Sequence, residues 1–349
     1  MVSALRELHP KIEIEGLGGP RMAEAGAKIL ARAEDLAALG LAEVVSSIPA
    51  HVRLLLRLRR LFRSGRYQLV ILVDYPGFHL KVAAAARAAG LPVLYYIAPQ
   101  LWAWAEWRVR SLRKNVNSLA VILPFEESFF AARGIHAEFV GHPLLDRDAA
   151  PPRLAARSAL SINSSAPLLA LFPGSRPQEV QRLWPAFRDA ARKLQHVTPG
   201  LQVAVAAVGG ASYPDGDGFV LAQRSAQHLL AAADVGLCKS GTTTMEAMLA
   251  NLPMVIAYRM HPLTHAIARR AVRLTHVGLV NLIAERDVVP EFIQDSVTAE
   301  ILANALEPLL DPAGMAATHQ REAFREIRAK LGVPGAGKRV AAMALQMVA

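Results

Sequence analysis

Asp74 ends the apolar run Val70-Ile71-Leu72-Val73 and precedes Tyr75-Pro76-Gly77. An acid just past a buried strand stands where a general base acts in an open α/β sheet, because ligands bind outside the carboxyl ends of the strands. Asp followed by Pro is also a helix-start signal, so Asp74 equally suits a cap for a helix around His79. Pro173-Gly174-Ser175-Arg176 follows a second apolar run, with Glu179 three residues on. Small residues let backbone N–H groups approach a phosphate, and Arg176 can fork onto two phosphate oxygens. A plain turn with Arg176 paired to Glu179 is the competing reading. Lys239-Ser240-Gly241-Thr242-Thr243-Thr244-Met245-Glu246 follows a third run. Its hydroxyls and Gly241 could line a diphosphate, with Glu246 reaching a ribose hydroxyl. The same letters fit a capping box of Thr243 with Glu246, and a capped helix start is also an anion site. The loop does not fit the P-loop pattern. His142 in Val140-Gly141-His142-Pro143 either donates to a sugar or phosphate or satisfies backbone groups at a hinge. The eleven histidines are scattered without ligand spacing, so no metal and no cofactor is expected.

A different signal lies in His51–Arg66, which carries six arginines and no acid. On a helix, Leu54, Leu55, Leu58, Leu61 and Phe62 share one face, with Arg53, Arg57, Arg60 and Arg63 mostly elsewhere. Such a helix either lies on an anionic membrane through Leu58 and its arginines or packs on its own sheet. Trp102, Trp104 and Trp107 precede Arg108, Arg110, Arg113 and Lys114, which suits an interface or an acyl chain. Buried aromatics at a domain edge are the alternative.

These residues need elements to hold them. Short apolar runs alternate with amphipathic stretches, the pattern of βαβ units and parallel sheet. Expected strands are Leu69–Val73, Val93–Ile97, Leu119–Leu123, Leu168–Phe172, Val203–Ala207, Val235–Cys238 and Met254–Ala257, with helices over His79–Ala89, Gln181–Leu194 and Thr243–Ala250. The chain has 349 residues, which suits two domains, each large enough for its own core. The expected division is 1–145, 146–320 and a helical segment 321–349 that packs on the first domain or on another subunit. A hydrophobic share of 53% excludes a disordered chain. The lone Cys238 excludes a disulfide framework, and no apolar run reaches the length of a spanning helix. The start reads as neither strand nor signal peptide. Val2–Leu8 looks like a helix, and the first strand comes only at Ile12–Gly16, so either the fold is irregular here or its first strand is missing. A net charge of +10 calls for an acidic partner, without saying which. Nucleic acid rests on that balance alone and is not expected.

Taken together, these segments resemble the lipid-A-disaccharide synthase family. The resemblance is carried by Gly18-Gly19-Pro20-Arg21-Met22, Val73-Asp74-Tyr75-Pro76, Pro99-Gln100-Leu101-Trp102-Ala103-Trp104 and Leu123-Pro124-Phe125-Glu126. It continues through Phe139–Pro143, Pro173–Arg176 with Glu179, Ser240-Gly241-Thr242 with Glu246, Tyr258-Arg259-Met260 and Asn281-Leu282-Ile283-Ala284. It implies an α/β fold of the GT-B type, two Rossmann-like domains with a cleft between them. It implies an inverting, metal-independent hexosyl transfer joining UDP-2,3-diacylglucosamine to 2,3-diacylglucosamine 1-phosphate. Asp74 would act as base, and Arg176, Glu179, Ser240, Gly241, Thr242, Thr243, Glu246 and Asn281 would hold the UDP-sugar. His142 would border the cleft. Arg53, Arg57, Arg60, Leu58, Trp102 and Trp104 would meet the anionic inner membrane from its cytoplasmic side, with a homodimer left open. The family's Gly-Glu-x-Ser-Gly-Asp loop does not occur in this sequence, Gly77 stands where many relatives carry Asp, and Val280 where Pro often precedes the Asn. The competing expectations are a non-catalytic UDP-sugar or lipid binder and another GT-B enzyme of UDP-N-acetylglucosamine.

Overall fold

The computed structural model describes residues 1–32, 41–103, 106–223, 225–261 and 276–349, with side chains described for all of these except 41–47. Trp104 lies outside the described residues. The chain divides into two units, Met1–Arg147 with Leu331–Ala349, and Asp148–Lys330. Each of the seven expected apolar runs forms a strand, with ends that move by no more than two residues.

In the first unit β1 (Glu15–Gly18) pairs in parallel with β2 (Lys28–Arg32). The strand expected at Ile12–Gly16 forms later, as β1. Ile12 and Ile14 pack into a core cluster, and the ladder begins only at Glu15. A four-stranded parallel sheet then runs in chain order through β3 (Val70–Val73), β4 (Val93–Tyr96), β5 (Ser118–Val121) and β6 (Ala137–Phe139). Strand side chains alternate between faces, so each strand feeds two cores. Leu72, Val93, Tyr95, Leu119 and Val121 face a cluster that also holds Leu54, Leu58 and Phe62 of the helix Leu41–Phe62 and Phe78 and Val82 of the helix Pro76–Ala88. Leu94, Tyr96, Ala120 and Val140 face the other cluster, covered by Ala4 and Leu5 of Val2–Leu8 and by Val340, Ala341, Met343 and Ala344 of Ala336–Gln346. The C-terminal helix therefore completes the first unit's sheet. Its start is fixed by the Asp146 carboxylate, which accepts hydrogen bonds from the backbone N–H groups of Gly335, Ala336 and Gly337.

The second unit is a six-stranded parallel sheet of β7 (Leu168–Phe172), β8 (Gln202–Ala207), β9 (Val220–Gln223), β10 (Val235–Lys239), β11 (Met254–Tyr258) and β12 (Glu291–Ile293). Their spatial order is β12-β11-β10-β7-β8-β9. This is the doubly wound order, and its direction reverses between β7 and β10. Every residue of β7 is buried, as expected of a central strand covered on both faces. The helix Pro177–Val197 packs Val180, Leu183, Trp184, Phe187 and Leu194 onto one face, beside Leu302 and Leu306 of Ala299–Leu306. Among the described residues no helix is long and apolar enough to cross a membrane.

Candidate functional site

The reversal between β7 and β10 splays the loops that leave these two strands, and a ligand-sized crevice opens at such a point. Phe172 pairs with Cys238, so Pro173–Arg176 and Lys239–Gly241 begin side by side. Each loop runs straight into a helix, Pro177–Val197 or Thr242–Leu249, and neither helix start takes a side-chain cap. Uncapped N–H groups and positive helix ends at one place have the chemistry to receive an anion. Gly174 has φ +148, and a Cβ there would come within 2.5 Å of the Glu179 Cβ. Only glycine fits, and the backbone stays bare for a ligand. Gly241 has φ +151, again a conformation other residues rarely adopt.

The charges of this crevice are ordered. Arg176 is exposed, and its guanidinium makes no hydrogen bond or ion pair among the described residues. The competing reading, an ion pair between the Arg176 and Glu179 side chains, does not form. Glu179 pairs instead with Lys239, Oε1 to Nζ at 3.0 Å, and its Oε2 accepts from the Ser175 N–H at 2.9 Å. Burial pushes the Glu179 carboxyl up, but the Ser175 N–H and Lys239 outweigh it and hold the group below the usual range. Lys239 also lies over the Tyr258 ring, 5.4 Å from its centroid. Lys239 and Tyr258 were not expected at this site, because the Glu179 that pairs with Lys239 is sixty positions upstream and only the fold brings the two together.

Ser240 is buried and its Oγ donates to the Val277 carbonyl at 3.5 Å. Thr242 is exposed, and Thr243 and Glu246 are half-buried on the following helix. The expected capping box of Thr243 and Glu246 is absent. The helix begins a residue earlier, Gly241 is its cap, and Thr244 Oγ1 donates back to the Gly241 carbonyl at 2.7 Å. Asn281 is correctly placed in chain order but is not a surface for a ligand. It is fully buried, its Nδ2 donates to the Val289 carbonyl and to Glu291 Oε1, and its Oδ1 accepts from the N–H groups of Val288 and Val289. Its hydrogen-bonding capacity is spent on the turn before β12.

In the first unit Asp74 directly follows β3, with an exposed side chain. It is not a helix cap: the cap of Pro76–Ala88 is Tyr75, with no side-chain bond. Asp74 and Tyr75 have φ 49 and 51, two successive non-glycine residues in the left-handed region. Such strain collects at functional positions. His142 is buried, and its Nδ1 accepts from the Leu144 N–H at 3.2 Å. Burial, with help from Arg147, pushes its pKa down to about 4, so it is a neutral structural cap.

The basic helix corrects one expectation directly. Leu58, offered as a lipid contact, is buried with Leu54 and Phe62 in the first unit's core, because the helix uses its leucine face to cover the sheet. Arg53, Arg57 and Arg60 are exposed, Arg57 donating to the Leu30 carbonyl at 3.1 Å. The outward apolar residues are Ile48, Val52 and Leu56, each about half exposed and spaced four apart. Trp102 is half-buried, and its Nε1 donates to Glu126 at 3.1 Å. Among the described residues the exposed tryptophan is Trp107, stacked under Arg108. Among the described residues no group of three His, Cys, Asp or Glu side chains could hold a metal ion.

Solved structures share this fold over almost the whole chain. The calicheamicin glycosyltransferase CalG4 aligns with TM-score 0.60 at 17% identity, covering 100% of this chain and 94% of that one. A UDP-N-acetylglucosamine 2-epimerase aligns with TM-score 0.56 at 12% identity, covering 93% and 90%. The fold class is the α/β GT-B class of glycosyltransferases and related epimerases. Within it the sequence is specific: residues 1–336 match the family model described as lipid-A-disaccharide synthetase. A lipid-A-disaccharide synthase from Anaeromyxobacter sp. (strain K) is 40% identical over 347 residues, 97% of this chain and 90% of that protein. This chain belongs to the lipid-A-disaccharide synthetase family.

Proposed function

We infer that this chain is a UDP-sugar glycosyltransferase of lipid A biosynthesis. It joins UDP-2,3-diacylglucosamine to 2,3-diacylglucosamine 1-phosphate and releases UDP. The observation that carries this reading is the near-full-length likeness to the synthase family, with Asp74 just after β3 and the Pro173–Arg176 and Ser240–Thr242 motifs just after β7 and β10.

In the second unit, UDP lies against the β7 and β10 loops. The two helix starts and the Arg176 guanidinium meet the diphosphate, with Lys239 beside them. Ser240, Thr242 and Thr243 offer hydroxyls, and Glu246 accepts from a ribose hydroxyl. Glu179 does not contact UDP directly; it fixes Lys239 and the Ser175 backbone. In the first unit, Asp74 takes the proton of the acceptor 6-hydroxyl as its oxygen attacks the anomeric carbon. The bond from that carbon to the diphosphate breaks on the opposite face, which inverts the configuration and gives a β-1,6 link. Negative charge then gathers on the leaving UDP, where cations and N–H dipoles stabilise it most.

The acyl chains require an apolar surface close by. The exposed arginines of Leu41–Phe62, with Ile48, Val52 and Leu56 among them, suit the anionic cytoplasmic face of the inner membrane. Lipid contact thus falls on the helix side opposite Leu58. Incubating the purified chain with both diacylated sugars tests the reading. Equimolar UDP and disaccharide 1-phosphate are expected, while UDP-sugar left unconsumed, or epimerised without any acceptor, overturns it.

A further inference from the structure

The corner at Asp74–Tyr75 contains a feature that the reaction just described does not use. The Asp74 backbone carbonyl accepts two side-chain hydrogen bonds, from the Tyr95 hydroxyl at 2.7 Å and from His79 Nδ1 at 2.7 Å. A carbonyl has two lone pairs, and both are taken. Tyr95 is fully buried on β4, the strand beside β3, with its ring in the core cluster. Burial keeps its phenol protonated, so its O–H is a permanent donor. His79 is the fourth residue of the helix that Tyr75 caps. Its Nδ1 faces an oxygen that can only accept, so Nδ1 carries the proton. Burial lowers its pKa, and either charge state keeps that donor.

Both partners converge on the residue whose backbone is strained. Left-handed φ at two successive side-chain-bearing residues is unfavourable and persists only where surrounding contacts over-determine it. Three further backbone bonds frame the corner, the Asp74 N–H to the Tyr96 carbonyl and the Phe78 and His79 N–H groups to the Tyr75 carbonyl, and the Tyr75 hydroxyl meets His51 Nε2 at 2.8 Å. The left-handed turn swings the Asp74 carboxylate out of the strand direction and into solvent at the sheet's carboxyl edge. An extended residue here would point its side chain to one face of the sheet.

We propose that Tyr95 and His79 are positioning residues, which hold the left-handed Asp74–Tyr75 corner and thereby aim the Asp74 carboxylate at the acceptor hydroxyl. The proposal rests on the reading of Asp74 as base. Proton transfer needs its heavy atoms within hydrogen-bond reach, so a corner that relaxes removes turnover without removing substrate affinity.

The test combines single and double variants of the full chain. Tyr95→Phe and His79→Leu should each lower kcat roughly 3–10-fold, the worth of one neutral hydrogen bond, with KM for UDP-sugar and UDP affinity unchanged. His79→Asn should restore the rate, because its amide N–H replaces Nδ1–H. In an Asp74→Asn background, Tyr95→Phe and His79→Leu should cost nothing more, since both act through the carboxylate. A wild-type kcat in Tyr95→Phe and His79→Leu, or the same loss repeated on top of Asp74→Asn, overturns the positioning role and leaves the base in place. Full activity in Asp74→Asn alone overturns the base and the proposal with it. Hydrogen exchange gives a readout independent of turnover: the amides of Asp74, Phe78 and His79 should exchange faster in both variants, and unchanged protection overturns the proposal.

Discussion

At the scale of the residue, the proposed reading rests UDP on loops held by the Lys239–Glu179 pair and on Glu246. Glu246→Ala removes one charged acceptor and should weaken UDP binding by about 1–3 kcal/mol, read by titration calorimetry; unchanged affinity removes Glu246 from the site. Two buried groups of the first unit carry a pH signature. Glu126 accepts from the N–H groups of Ile122, Leu123 and Trp102, and burial still holds its carboxyl up to about 6 from 4.5. The folded state then binds more protons than the unfolded one, so Glu126 alone costs about 2 kcal/mol as pH rises from 4.5 to 6. His142, pushed down to about 4 from 6.5, works the other way: its share of stability is complete above 6.5 and lost as pH falls toward 4. Glu126→Gln should therefore steepen the gain in stability between pH 4.5 and 6, and His142→Gln should flatten it. Urea melts across that range check both slopes.

At the scale of the element, the helix Leu41–Phe62 has two sides with different work. Leu58→Ala opens a cavity in the core and should cost about 2–5 kcal/mol, seen as a lower urea midpoint. Arg53→Glu with Arg60→Glu changes only exposed positions and should leave stability nearly intact. It should reduce binding to anionic vesicles, and wild-type binding should weaken with salt, because exposed charges are screened over about 8–10 Å near physiological ionic strength. Salt-insensitive binding, or an undiminished double variant, contradicts a membrane role for this face. The helix also shows where sequence reasoning stops. Its amphipathic pattern is legible, but periodicity says only that one face is apolar, and whether a sheet or a lipid covers that face is decided by tertiary packing. The seven expected strands were legible for the opposite reason, since each is a compact apolar run and most are covered on both faces. The short strands β6, β9 and β12 were not, being three or four residues long with exposed or half-buried positions. Likewise, Asp74, Arg176 and Gly241 were legible from their place after strands. The left-handed turn at Asp74, the partner of Lys239 and the backbone role of Asn281 depend on residues distant in the chain.

At the scale of the whole molecule, each unit carries a separable part of the proposed reaction. The second unit's doubly wound sheet holds the loops proposed for the nucleotide, and the first unit's sheet presents Asp74 and is covered by the C-terminal helix. Since the proposal puts UDP on the second unit, a change at Asp74 should not disturb nucleotide affinity. The decisive measurement is steady-state turnover with both diacylated sugars, paired with UDP calorimetry, for the wild-type chain and Asp74→Asn. The account predicts a fall in kcat of ~10²–10⁴ with UDP affinity unchanged. Wild-type turnover in Asp74→Asn, or a loss of UDP binding that accounts for the lost rate, contradicts it.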